Sequence, residues 1–276
     1  MTAARSDDPS TSPPTGPPLR VERPFPGVVL LTLDLPERRN AMTEELTAAW
    51  LDAVEALRGD RTVRCVVVTG AGRAFCAGGD LGWLAAEPDA TPDQLRDRML
   101  PFYRGWLGLL TLDVPTIAAV NGPAVGAGAC VAMSADIRYA GAAARFTVPF
   151  GHLGMHAGMA TTWLLPQLVG VAAARELLLT GRVCDATEML RLGLCSEVVP
   201  DEALLDHALQ RAVAVAAAAP VPQRLHKVAL AQGGHATLEA ALQWEALAQP
   251  VTLATADLQE GLRARAERRD PVFTGT

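Results

Sequence analysis

Hydrophobic positions fall into two regimes along this chain. Short unbroken apolar runs dominate the first half. They are Val28–Leu33, ending at the Leu35-Pro36 break, Arg64–Thr69, ending at Gly70, and Thr116–Val120. Runs of this length bounded by Gly or Pro predict buried strands. Asp136–Tyr139 and Arg145–Val148 predict two more. Between them, Leu46, Trp50, Val54 and Leu57 recur at helical spacing, with Thr43 placed to cap the helix and Gly59 to close it. Gly126–Ser134 predicts a helix of small residues. Farther on the pattern turns mostly helical. Asp185 with Glu188 three residues later is a capping-box signature for a helix that ends at Gly193. Glu202–Ala219 is helical and stopped by Pro220 and Pro222, and a last helical region runs from Leu238 to about Arg268 after Gly233-Gly234.

This division predicts an α/β core over residues 21–200 and a helical C-terminal region over 201–276, of the kind that often serves subunit contacts. Residues 1–20 predict a disordered tail, because Pro and small polar residues cannot repay the entropy of ordering. No internal repeat has a convincing period.

Composition narrows the class. Half of the 276 residues are hydrophobic but only 5% are aromatic, so the core is aliphatic. The formal charge is −6 without a dense Lys/Arg tract, which argues against a nucleic-acid partner. Five cysteines (Cys65, Cys76, Cys130, Cys184, Cys195) form no C-x-x-C pair, and the first three sit inside apolar runs. They read as reduced, buried thiols of a cytoplasmic protein. No apolar run approaches about 18 residues and the N-terminus lacks an export pattern, so neither membrane spanning nor secretion is expected.

Candidate chemistry gathers in two small-residue loops, Arg73–Leu81 (RAFCAGGDL) and Val120–Cys130 (VNGPAVGAGAC). Each follows a predicted strand, and small residues there leave backbone N–H groups open to a ligand. The second loop runs into a helix N-terminus, where unpaired donors favour negative charge. Two donors from separate loops would make an oxyanion hole. Either loop alone reads as a tight, sterically glycine-rich turn. Neither a P-loop nor a dinucleotide-type glycine fingerprint is present.

The two loops together, in this order, resemble the crotonase (enoyl-CoA hydratase/isomerase) superfamily. So do the flanking segments Leu33–Met42 (LDLPERRNAM), Val66–Leu81, Ala119–Ala140, Phe146–Pro149, Leu177–Leu192 and Asp257–Phe273. The resemblance covers nearly everything after residue 20. It implies a spiral of ββα units with a helical C-terminal oligomerisation region, assembled as a homotrimer or dimer of trimers. It also implies an acyl-CoA thioester as partner, with coenzyme A arriving as part of the substrate, no permanently bound cofactor and no metal. By the same likeness the N–H groups of Gly79 and Ala127 would hold the thioester oxygen. Arg38, Arg39, Ala41, Ala77, Asp80, Leu81 and Gly82 would line the CoA site, and Phe273 would close the cleft of a neighbouring subunit.

The chain also departs from the family pattern. Hydratases of this kind use two glutamates to place and activate water, and those positions fall at Cys130 and Phe150. No Asp or Glu occurs from Ala140 to Arg175. The aspartate of dehalogenase-like relatives would fall near Gly158. What remains near the pocket is His152 and His156, of which His156 is the better candidate for proton transfer, a structural histidine being the alternative. Cys130 reads as a buried thiol rather than a nucleophile, Asp80 as a loop-ordering residue, and Trp83 and Trp106 as pocket or core. The expectation is an enoyl-CoA hydratase/isomerase-like enzyme, a lyase or isomerase, that stabilises a thioester enolate. The alternatives are a non-catalytic acyl-CoA binder and a crotonase-type decarboxylase or hydrolase.

Overall fold

Nine strands and ten α-helices alternate along the computed structural model, which describes residues 16–231 and 237–276. Most of the predicted tail and Gly233-Gly234 lie outside the described residues. A hairpin of β1 (Leu19–Phe25) and β2 (Val28–Leu33) leads to α1 (Glu44–Leu57), β3 (Cys65–Gly70), the one-turn α2 (Leu81–Leu84) and α3 (Pro92–Trp106). Next come β4 (Thr116–Val120), β5 (Pro123–Val125), α4 (Ala127–Ser134), β6 (Ile137–Gly141) and β7 (Arg145–Thr147). After them stand α5 (Thr161–Thr180), β8 (Cys184–Asp185), α6 (Ala186–Leu192) and β9 (Glu197–Val199). The chain ends in α7 (Leu204–Ala216), α8 (Pro220–Leu230), α9 (Leu238–Leu253) and α10 (Ala256–Glu267).

Six strands form one sheet in the order β1-β2-β3-β4-β6-β9, parallel except for the β1–β2 hairpin. A second sheet has the order β5-β7-β8. Alternate residues of the large sheet feed two cores, as the two-residue strand period requires. Val29, Leu31, Val66, Val68 and Ala118 face Leu46, Trp50 and Val54 of α1. Val28, Leu30, Val67, Ile117 and Ala119 face Leu204, Ala208 and Ala212 of α7, where alanines every fourth residue let the helix lie close. Every residue of β2 and of β3 is buried, which is why both read as unbroken apolar runs.

Thr43 caps α1 by accepting from the Leu46 N–H at 3.2 Å, although the helix closes at Arg58, one residue before Gly59. Asp185 caps α6 from its side chain, and Gly193 ends that helix in the left-handed region. The Glu188 carboxylate turns to Arg182 instead of completing the capping box. Other expectations need correction. A strand precedes Val28: β1 starts at Leu19, because it gains a hydrogen-bonding partner in β2 that its largely polar pattern does not advertise. Pro220 opens α8 at a position where its missing N–H costs nothing. The last helical region is two helices, because Thr255 starts a fresh cap. Helices α3 and α5 were not expected, and β8 and β9 lie beyond the strand-rich half.

The C-terminal helices are tied to the core by buried charge. Lys227, with a side chain 9% exposed, donates to the carbonyls of Leu109 and Val114 and pairs with Asp136 at 2.9 Å. Asp136 also accepts from the Thr116 N–H and hydroxyl at 2.7 and 2.8 Å. The Asp257 carboxylate holds the Thr274 and Gly275 N–H groups, and Arg64 donates to the carbonyls of Ala216 and Phe273. The Phe273 ring lies over Gly261 of its own α10. Asp136→Ala leaves the Lys227 ammonium buried without its counter-charge. Because Asp136 is itself partly exposed and Lys227 keeps its two carbonyl acceptors, the variant is expected to lower unfolding free energy by about 1–2 kcal/mol, read as a lower urea midpoint at unchanged slope. A midpoint within the error of the parent would contradict this role.

Candidate active site

The loop after β3 and the loop after β4 are held edge to edge by backbone bonds. The N–H groups of Phe75 and Cys76 donate to the Pro123 carbonyl at 3.1 Å, and the Val125 N–H returns to the Cys76 carbonyl at 3.0 Å. On its other side the first loop is fixed by Met42 N–H to the Gly78 carbonyl at 2.9 Å and Ala77 N–H to the Arg39 carbonyl at 3.0 Å. Close approach dictates the glycines. Gly78 has φ +94°, and a Cβ there would stand 2.6 Å from the Val125 carbonyl oxygen and 3.4 Å from the Ala127 nitrogen. A Cβ on Gly128 would overlap the Cys76 carbonyl.

Gly79 and Ala127 therefore meet at one wall of a single cavity of about 600 Å³. Ala127 is the first residue of α4, so its N–H has no acceptor in the helix, and Gly126 precedes it with φ +54°. Among the described residues nothing accepts from the N–H of Gly79 or of Ala127. The cavity wall is mostly apolar, with Leu84, Met99, Phe102, Phe150, Met155 and Met159 contributing.

The family model for enoyl-CoA hydratase/isomerase matches residues 25–276. The chain belongs to the enoyl-CoA hydratase/isomerase family. As a member it is an enzyme of the lyase or isomerase type, and its relatives take acyl-CoA substrates. A Mycobacterium tuberculosis protein named as a probable enoyl-CoA hydratase is 40% identical over 261 residues, 92% of each chain. The 1,2-epoxyphenylacetyl-CoA isomerase of Escherichia coli is 37% identical over 250 residues, 90% of this chain and 95% of that protein. The solved enoyl-CoA hydratase of Bacillus anthracis superposes with a TM-score of 0.87 at 32% identity, covering 94% of this chain and all of the other.

In this family member, Arg38, Ala41, Ala77, Asp80, Leu81 and Gly82 line the same cavity as Gly79 and Ala127. Arg39 does not; it acts on the loop through its carbonyl. Arg38 pairs with Asp80 at 2.8 Å, and the other Asp80 oxygen accepts from the Trp83 N–H at 2.9 Å, capping α2. Asp80 is thus engaged in ordering the loop. His156 lies exposed at the cavity wall with Nδ1 2.7 Å from the Ala157 carbonyl, while His152 stands outside it against Gly181. Trp106 is fully buried against Trp50 and lines nothing; Trp83 stacks on Phe102 beside the cavity.

Two residues that organise the site were missed in the sequence. Asn40 is fully buried and spends its whole amide on the junction. Its oxygen accepts from the Leu35 N–H, and its NH₂ donates to the carbonyls of Ala71, Ala74 and Phe75. Its signal was the short polar residue between Arg39 and Ala41. Tyr103 lines the cavity from α3, and the stripe Met99, Phe102, Tyr103, Trp106 at helical spacing would have revealed that helix.

Cys130 is buried with its thiol 3.0 Å from the Thr161 hydroxyl and 3.3 Å from the Gly126 carbonyl. Burial pushes its pKa up to about 12, only partly opposed by the Thr161 contact. At about pH 8 the thiolate fraction is then on the order of 10⁻⁴, against about a quarter for an ordinary thiol. All five cysteines are buried. Iodoacetamide at that pH is expected to leave the native chain unlabelled and to label all five sites in guanidinium, as read by intact mass. Selective labelling of Cys130 in the native chain would contradict this account of the thiol.

Proposed function

We propose that this chain converts an acyl-CoA thioester by stabilising its enolate between the N–H groups of Gly79 and Ala127, and that it does so without paired carboxylates. The observation that carries this reading is the pair of unspent amides at the wall of one mostly apolar cavity. A developing oxyanion gains most from donors already aimed at it in a site that excludes water. Arg38, Ala41, Ala77, Asp80, Leu81 and Gly82 would hold the CoA portion, with Arg39 supporting them from behind. Coenzyme A enters and leaves as part of the substrate.

The residues at the two hydratase positions support chemistry other than syn hydration. Cys130 holds its proton far above neutral pH, and Phe150 presents a ring to the cavity and to Gly126. His156 is our candidate for proton exchange with solvent, with Nδ1 engaged by the Ala157 carbonyl and the opposite ring nitrogen left to act. Proton movement on a stabilised enolate favours isomerisation, in keeping with the relative named as an isomerase. For the chain as a whole we propose the α/β core over 21–200 as the catalytic unit, with 201–276 as the helical oligomerisation region of a cytoplasmic trimer or dimer of trimers.

Two measurements test the reading. Crotonyl-CoA hydration, followed by loss of the conjugated thioester absorbance, is expected to run more than about tenfold below an ordinary hydratase, a barrier difference above about 1.4 kcal/mol. Turnover inside that margin would refute the loss of two-carboxylate chemistry. Ala127→Pro removes one N–H at a helix position that suits proline. It is expected to lower turnover of an accepted thioester by about 10²–10³ at unchanged melting temperature. Full activity in that variant would remove Ala127 from the oxyanion hole.

A further inference from the structure

The cavity holds one ionisable group that neither the sequence nor the reading above uses. Tyr103 projects from α3 into the wall, half-buried, and its hydroxyl oxygen lies 2.6 Å from the point where a Cβ on Gly158 would stand. Among the described residues nothing donates to that hydroxyl or accepts from it. The Gly158 carbonyl in turn lies 4.0 Å from the thiol of Cys130, which is buried behind the wall, so Gly158 stands between the phenol and the residue at the first carboxylate position. Only glycine at 158 leaves room for the phenol. The other titratable groups at the wall are spent or peripheral. Asp80 is paired with Arg38 and His156 is exposed at the mouth, while Cys130 lies buried behind the wall against the Thr161 hydroxyl.

We propose that Tyr103 is a catalytic residue that carries the proton to and from the α-carbon of the bound thioester; this rests on the enolate reading above. In the forward step the enolate's electron pair forms the new C–H bond, the tyrosine O–H bond breaks, the thioester carbonyl reforms, and tyrosinate remains. Water entering beside His156 restores the phenol. In the reverse step tyrosinate removes the α-proton and the electrons move onto the thioester oxygen, where the Gly79 and Ala127 N–H groups receive the charge. Burial, with the nearby Cys130 adding to it, raises the Tyr103 pKa above its ordinary value. The sign follows: the phenol dominates across pH 7–9, and the small tyrosinate fraction grows about tenfold per pH unit. A base already deprotonated at neutral pH would instead give a rate that stays flat across that range.

The test is α-proton exchange of phenylacetyl-CoA in D₂O, followed by mass spectrometry and corrected for the uncatalysed rate. The parent enzyme is expected to exchange with a rate that climbs about tenfold per unit between about pD 7 and 9. Tyr103→Phe, which deletes a hydroxyl without a protein partner, is expected to lose about 10²-fold of that rate and the climb with it, while thioester affinity and melting temperature hold. His156→Ala is expected to keep the climb whatever its effect on rate. Exchange by Tyr103→Phe with the parent's rate and slope overturns the assignment and leaves the enolate reading intact, as does loss of the climb in His156→Ala alone. Absence of exchange in the parent enzyme overturns both.

Discussion

Backbone amides inside a folded chain are almost always paired, because leaving one unpaired away from water costs as much as a lost hydrogen bond. Two such amides, Gly79 and Ala127, stand at the wall of one cavity without an acceptor among the described residues. They are kept there by the pairing of two strand-following loops through Pro123, Val125 and Cys76. That junction decides much of the local sequence. It forces the left-handed turn at Gly78, forbids a side chain at Gly128, and calls on the buried Asn40 to tie off three carbonyls at its base. The sheet and its two cores serve as the rigid frame against which those loops are set.

Given such donors, the chemistry is governed by what the cavity omits. A pair of carboxylates would place a water on an unsaturated thioester. In this chain Phe150 presents a phenyl ring to the cavity, and Cys130 is a buried thiol that holds its proton. The cavity wall is consequently mostly apolar, and in the proposed reading a negative charge on the thioester oxygen would be met there by backbone amides rather than by side-chain charge. On the proposed reading, the chain would keep enolate stabilisation and lack the two bases that add water. Methionines and aromatic rings wall the apolar volume, and the unbranched methionine side chain adapts readily to its neighbours.

Legibility in the sequence followed the same physics. β2, β3 and β4 were plain because both of their faces are buried, so each became an unbroken apolar run. The two loops were plain because close approach of backbone to backbone leaves only small residues. Elements whose residues face two environments were obscure. In β1, Leu19 alone is buried, and its partner strand, not its composition, makes it a strand. In α3 the stripe carrying Tyr103 lies on an otherwise charged helix with Pro101 inside it. Pro220 had the chemistry of a stop and the position of a start. For the cavity, position in a motif pointed to Gly79, Ala127, Arg38, Ala41, Ala77 and the Asp80–Gly82 run. Side-chain roles set by distant contacts, as for Arg39, Trp106 and Asn40, needed the third dimension.

The central claim is geometric and can be read from a crystal structure of the enzyme with phenylacetyl-CoA bound. The account predicts the thioester oxygen at about 2.7–3.1 Å from both the Gly79 and the Ala127 nitrogen. An oxygen held by one amide or neither, with the other amide turned to a protein carbonyl, would contradict it.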